Sequence, residues 1–323
     1  MKTLEGKIAV VAGATRGAGR GIAAMLGEAG ATVYCTGRSA HGVASPRKRP
    51  ETIEETADIV TRRGGTGIPV RVDHTDEAQV AAFFRRVRTE QQRLDILVNV
   101  LGGDTPAEWK PFWRLSLDKG LRWLQHEVGS HITTSRYGAE LMVEGRSGLI
   151  VGLTDGDALY HRGSLFYDMV KISTIRLAYA MAEELAPHGV CTLALTPGFM
   201  RTEAVLDSFG ATEENWREVA EKNKRARSFG FIASETPCFV GRAVAALAAD
   251  PQVSEKSGGV YASWTLSDEY GFTDIDGNRP HWGSYFAKEF KTMIERPPNT
   301  RFRWTLERLP QPARPARRKR ASR

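Results

Sequence analysis

Seven short apolar runs, separated by segments of helical periodicity, restrict this chain more than any other feature does. The runs are KIAVVAG (7–13), ATVYCTG (31–37), IPVRVD (68–73), LDILVNV (94–100), GLIVGLT (148–154), VCTLALTPG (190–198) and GGVYAS (258–263). Between them lie amphipathic stretches such as GIAAMLGEAG, QVAAFFRRVRTEQQRL and CFVGRAVAALAADP. Continuous apolar strands divided by helices read as a parallel sheet buried on both faces. The expected fold class is therefore α/β, a doubly wound parallel sheet forming a single domain over residues 1–307.

Three segments interrupt the alternation: 40–50, the tryptophan-rich 102–125, and 199–235, which carries Phe199, Met200, Trp216 and Phe231. In open α/β sheets ligands bind beyond the carboxyl ends of the strands, and the second and third segments leave from such ends. They are the expected substrate walls, with 199–235 as a small lid. Their aromatic content suggests an apolar, fairly bulky substrate, although lid packing explains the same residues equally well.

The formal charge of +7 concentrates at the end of the chain. Residues 308–323, RLPQPARPARRKRASR, hold seven Arg or Lys and no acid, so without them the 45 basic residues fall to 38, equal to the 38 acidic ones. Such a tail cannot bury enough apolar surface to offset its ordering entropy and is expected to be disordered. Nucleic-acid contact by the tail is conceivable on charge, but a solvated extension is the favoured reading. Cys35, Cys191 and Cys238 are far apart and lack metal-ligand spacing, as reduced thiols would be. No run approaches the roughly 18 apolar residues needed to span a bilayer, and the start Met1-Lys-Thr-Leu-Glu-Gly-Lys is wrongly built for a signal peptide. The expected location is cytoplasmic, with no metal.

AGATRGAG follows the first strand and opens a helix, bringing Gly13, Thr15, Arg16, Gly17, Ala18 and Gly19 to one turn. Glycine lets a diphosphate approach backbone N–H groups at the positive end of a helix dipole. After the second strand, where a ribose with a free 2′-hydroxyl would normally meet an acid, stand Arg38 and Ser39. Arginine and a hydroxyl suit a 2′-phosphate, and Arg16 adds charge, so NADP(H) is expected over NAD(H).

Together with Asp73, Asn99-Val100-Leu101-Gly102, the pair Tyr167 and Lys171, and Pro197-Gly198 with Thr202, the glycine motif resembles the short-chain dehydrogenase/reductase family from about Lys7 to Ser263. The resemblance implies a seven-stranded Rossmann sheet with a nicotinamide cofactor across the strand ends. It implies that Asp73 holds the adenine amino group, and that Asn99 and Gly102 lie along the adenosine. Pro197, Gly198 and Thr202 would meet the carboxamide and diphosphate. Homodimers or homotetramers are the implied assemblies.

Tyr167 and Lys171 are four residues apart and share a helix face. A phenol near pKa 10 is a poor acid-base catalyst, and a neighbouring ammonium favours its ionisation. In the family the lysine also binds the nicotinamide ribose. Strand five usually ends in Ser-Ser, and the catalytic serine polarises the substrate oxygen; here the positions are Thr154 and Asp155. Thr154 precedes Tyr167 by thirteen residues, the commonest spacing, which favours it as the third catalytic residue. A register with Asp155 there is the other option, and an ionised Asp155 would only accept hydrogen bonds and would repel a developing alkoxide. The family's helix asparagine after strand four is also missing, leaving Gln125, His126 or Glu127 to replace it.

Two functions fit. One is an NADP(H)-dependent oxidoreductase that moves a hydride between nicotinamide and a carbonyl or secondary alcohol, with Tyr167 exchanging the proton. The other is an NADP-binding pseudoenzyme, acting as a redox-sensing regulator or scaffold with little turnover.

Overall fold

The computed structural model describes residues 2–43, 48–102, 107–157 and 161–289. The basic tail, Arg47, and the stretches 103–106 and 158–160 lie outside the described residues. The strands are β1 (Ile8–Ala12), β2 (Thr32–Gly37), β3 (Thr66–Arg71), β4 (Ile96–Asn99), β5 (Gly148–Leu153), β6 (Val190–Thr196) and β7 (Val260–Ala262). They form one sheet in the order β3-β2-β1-β4-β5-β6-β7, and every neighbouring pair is parallel.

Helices connect these strands: α1 (Gly17–Glu28), α2 (Ile53–Arg62), α3 (Glu77–Gln91), α4 (Leu117–Gly145) and α5 (Leu165–Leu185). Local chemistry starts them where the sequence supplies caps. Thr52 and Glu55 form a reciprocal capping box at α2, and Asp76 accepts from Ala78 N and Gln79 N at α3. Between β6 and β7 come three short helices, α6 (Glu203–Phe209), α7 (Trp216–Lys222) and α8 (Lys224–Ser228), then α9 (Pro237–Ala249), which has Thr236 as its cap and Pro237 at its first turn.

Each sheet face buries its own apolar cluster. One includes Val11, Val33, Val98 and Val151 with Ile22 and Val240 of α1 and α9; the other includes Val10, Tyr34, Leu97 and Ile150 with Phe83, Phe84 and Met142 of α3 and α4. Alternate residues of one strand thus serve opposite faces, which is why the runs are apolar throughout. A separate cluster of Ala211, Trp216, Ala220, Ala226 and Phe231 packs within the 199–235 segment.

Two details differ from the expectation. The third strand begins two residues before the apolar run suggested, because Thr66 and Gly67 pair with Thr32 and Val33 as an edge. The chain also continues past β7 into α10 (Ser263–Tyr270) and α11 (Trp282–Glu289), whose Trp282 lies 5.8 Å from the Phe199 ring. Among the described residues, no helix is long and apolar enough to cross a membrane. The strand order reverses direction between β1 and β4, opening a crevice beyond their carboxyl ends.

Candidate active site

The first turn of that crevice is set by backbone crowding. Gly13 has φ +90°, and a Cβ there would stand 2.2 Å from the carbonyl oxygen of Val100. Only glycine lets β1 turn this close to the end of β4. Gly17 then opens α1, and its N–H donates to the Glu203 carboxylate at 2.9 Å. An acidic group from α6 therefore occupies the anion-favouring terminus.

Gly13, Thr15, Arg16, Arg38, Ser39, Asp73 and Gly102 line one cleft of about 220 Å³, and it continues to Trp123, His126 and Glu127 of α4. Within it Arg16 donates to Ser39 Oγ at 3.2 Å and to Glu51 at 3.1 Å. Arg49 also binds Glu51. Burial works to raise the Glu51 carboxyl, but the bonds from Arg49 and Arg16 hold it below the ordinary range. Glu51 is a site residue that sequence reasoning missed; its place among the arginines is made by the fold, not by spacing.

Asp73 caps its own turn, with Oδ1 accepting from Thr75 N and Oγ1. Burial opposes its charge, yet these bonds and nearby Arg38 keep the pKa below normal. Asn99 donates to Ser135 Oγ at 2.8 Å, while its buried Oδ1 has no partner among the described residues. Behind this wall His74 bridges Thr36 and Thr134, and burial pushes its imidazole down to about 3. His131 is likewise buried and lowered, chiefly by desolvation.

Thr202 caps α6 by accepting from Val205 N, and its methyl would lie 3.3 Å from a Cβ on Gly17. Pro197 and Gly198 follow β6 on the other side of the crevice. Gly198 N–H donates to Glu235 Oε2 at 2.9 Å, and Ser263 Oγ donates to the same oxygen at 2.7 Å. Burial pushes the Glu235 carboxyl up to about 8, with a further push from Asp274; the bonds from Ser263 and Gly198 only partly oppose it.

Tyr167 and Lys171 stand on α5 as the i, i+4 spacing requires, with Lys171 Nζ 5.7 Å from the tyrosine ring centre. Each of them meets a carboxylate. Tyr167 OH donates to Asp155 Oδ2 at 2.5 Å, and Lys171 Nζ donates to Glu127 Oε1 at 2.5 Å. Thr154, the first residue after β5, donates its hydroxyl to the backbone carbonyl of Lys171 at 2.8 Å and so ties the end of β5 to α5. Asp155, one residue further, turns toward the phenol instead.

Of the three α4 candidates Gln125, His126 and Glu127, it is Glu127 that pairs with Lys171. It is only 2% exposed, accepts from the Trp123 indole at 2.7 Å, and lies where any side chain on Gly102 would collide with it. Trp109 and Trp123 flank the Tyr167 ring, each with centroids 5.9 Å away. Arg162 supports the loop from below, donating to the Asp155 carbonyl at 2.5 Å and pairing with Asp168 at 2.9 Å.

Comparison with known proteins agrees with this layout. The sequence model of the short chain dehydrogenases matches residues 7–212. The chain is 36% identical over 286 residues to mouse "Dehydrogenase/reductase SDR family member 1", covering 85% of each protein, and 35% identical to the human protein of that name. Among solved structures it is similar to a short chain dehydrogenase of Mycobacterium thermoresistibile, with a TM-score of 0.71 at 23% identity over 87% of this chain and 92% of that one. A gluconate 5-dehydrogenase, putative by its own description, from Beutenbergia cavernae, with bound NADP, aligns with a TM-score of 0.63 at 27% identity over 81% and 97% of the two chains. The chain belongs to the short-chain dehydrogenase/reductase family of oxidoreductases.

Proposed function

We propose that the protein is an NADP(H)-dependent oxidoreductase acting on the carbonyl or secondary alcohol of an apolar, fairly bulky substrate, with Tyr167 as the proton donor and acceptor. The observation that carries the reading is the pairing of Tyr167 and Lys171 on α5 beside a cleft whose other end gathers Gly13, Arg16, Arg38 and Asp73.

The residues present fit a nicotinamide dinucleotide. The Gly13 turn admits no side chain, the Gly17 N–H already attracts a carboxylate, and Asn99 Oδ1 is a buried acceptor still to be satisfied. Thr15, Gly17, Ala18, Gly19 and Thr202 would hold the diphosphate once Glu203 yields, and Asp73, Asn99 and Gly102 the adenosine. Arg38, Ser39 and Arg16 would receive the 2′-phosphate, with Pro197 and Gly198 at the carboxamide. When bound, the reduced nicotinamide supplies the hydride to a carbonyl carbon.

The chain's own contribution is proton transfer and orientation. Tyr167 gives its proton to the substrate oxygen from a site walled by Trp109 and Trp123. Lys171, held by Glu127, would bind the nicotinamide ribose. Thr154 acts as a positioning residue, since its hydroxyl fixes the backbone of Lys171. We further propose that α4 and α5, which expose Leu121, Ile132, Leu165 and Met169, form the face of a homodimer or homotetramer.

NADPH and NADH oxidation across a ketone panel, followed at saturating enzyme, tests the reading. Wild type should turn over with NADPH in preference to NADH, and Tyr167→Phe should lose about 10²-fold or more in kcat. Tight NADPH binding without turnover of any ketone would instead favour a cofactor-binding regulator.

A further inference from the structure

Among the described residues the charge around Tyr167 is out of balance. Lys171 is paired with Glu127 at 2.5 Å, and Arg162 with Asp168 at 2.9 Å. Among the described residues Asp155 is the third carboxylate beside these two cations, and its Oδ2 accepts a hydrogen bond from the Tyr167 hydroxyl at 2.5 Å. His131 lies near Lys171 and Glu127, and burial lowers the pKa of its imidazole.

That arrangement obstructs an ordinary ketone. To donate to a substrate oxygen, Tyr167 has to leave Asp155, and the carboxylate then faces an oxygen that is gaining negative charge. The hydroxyl of Thr154, which might have offset this by donating to the same oxygen, is committed to the Lys171 carbonyl. A positive charge delivered by the substrate removes both difficulties. An ammonium next to the reacting carbon pairs with Asp155, releases the Tyr167 hydroxyl, and neutralises the carboxylate as the oxygen becomes anionic.

The walls suit such a group. The rings of Trp109 and Trp123 stand 5.9 Å from that of Tyr167, tilted by 57° and 42°. Indole faces attract cations, and most strongly where water is partly excluded. Half-buried Asp155 supplies the specific partner, and the aromatic rings supply the apolar surface for the rest of the molecule.

We propose that the substrate is an amino ketone or amino alcohol whose cationic nitrogen, two or three bonds from the reacting carbon, pairs with Asp155. The inference rests on the carbonyl-reductase reading and narrows its substrate class.

The test compares 2-amino-1-phenylethanone with 1-phenylpropan-1-one, which differ by an ammonium in place of a methyl group. Wild type with NADPH should favour the amino ketone by roughly tenfold or more in kcat/KM, and Asp155→Asn should erase that preference. The corresponding alcohols, titrated calorimetrically into NADPH-saturated enzyme where no turnover occurs, should show the same Asp155-dependent preference in Kd. Equal or better use of the neutral ketone by wild type, or a preference that survives in Asp155→Asn, overturns the proposal. Asp155-dependent binding of the amino alcohol without reduction of either ketone would uphold the cation site and sink the carbonyl reading. Absence of that binding preference would sink the cation site whatever the turnover.

Discussion

The proposed nucleotide end of the cleft and the proposed catalytic group beside it are built by different means. At the nucleotide end backbone does most of the work: Gly13 turns under the Val100 carbonyl, Gly17 presents an N–H, and Asp73 is locked by Thr75. At the catalytic end side chains decide, and each of the two expected catalysts is matched to a carboxylate, Tyr167 to Asp155 and Lys171 to Glu127. A site held by backbone tolerates no change in shape. A site held by ion pairs and hydrogen bonds tolerates shape changes but responds to charge.

Gly13→Val gives the largest expected effect and separates the two modes most sharply. The added Cβ meets Val100 O at 2.2 Å in a region of positive φ, so strain and collision together should cost about 3 kcal/mol or more. Thermal unfolding should show a large drop in Tm, and NADPH titration should show no binding in whatever protein folds. A variant with near-normal Tm and affinity would mean that the turn is looser than the geometry indicates.

Glu127→Gln keeps the shape and removes a charge, so it probes the other mode. Trp123 can still donate to the amide oxygen, but Lys171 loses its counter-ion, and the partly buried pair should cost about 2 kcal/mol. The liberated ammonium acts more strongly on Tyr167, so the pH at which the tyrosine's ionisation limits kcat should fall. An unchanged pH–rate profile with an unchanged Tm would show that Glu127 merely fills space.

This division also explains what could be read from the sequence. The parallel sheet and the phosphate turn follow from apolar runs and glycine spacing, because backbone geometry leaves periodic traces. The i, i+4 spacing of Tyr167 and Lys171 is such a trace as well. The choice between Thr154 and Asp155 is not, since one residue of register at a strand end decides which side chain meets the phenol. Glu127 was one of three neighbouring options, and only the rotation of α4 brings it to Lys171. Glu51 and Glu235 meet the site from distant parts of the chain, with no local pattern to mark them.

Glu235 yields the smallest predicted effect and the finest test of the contrast, because it is bound to the Gly198 backbone yet acts through charge. Its carboxyl is wholly buried between Gly198 N–H and Ser263 Oγ, and its pKa is raised to about 8 from an ordinary 4.5. The folded state therefore holds a proton that the unfolded chain releases above about pH 4.5. The resulting stability is fully present below that pH and is lost as pH rises through about 8. Glu235→Gln is neutral at every pH, so relative to wild type it should gain stability between pH 5 and pH 8, by roughly 1–2 kcal/mol after relaxation around the site. Denaturant unfolding of both proteins at the two pH values measures the difference. Equal differences at pH 5 and pH 8 would mean that Glu235 stays ionised in the fold, so that a fixed negative charge sits beside Gly198 and the backbone-built half of the cleft is sensitive to charge after all.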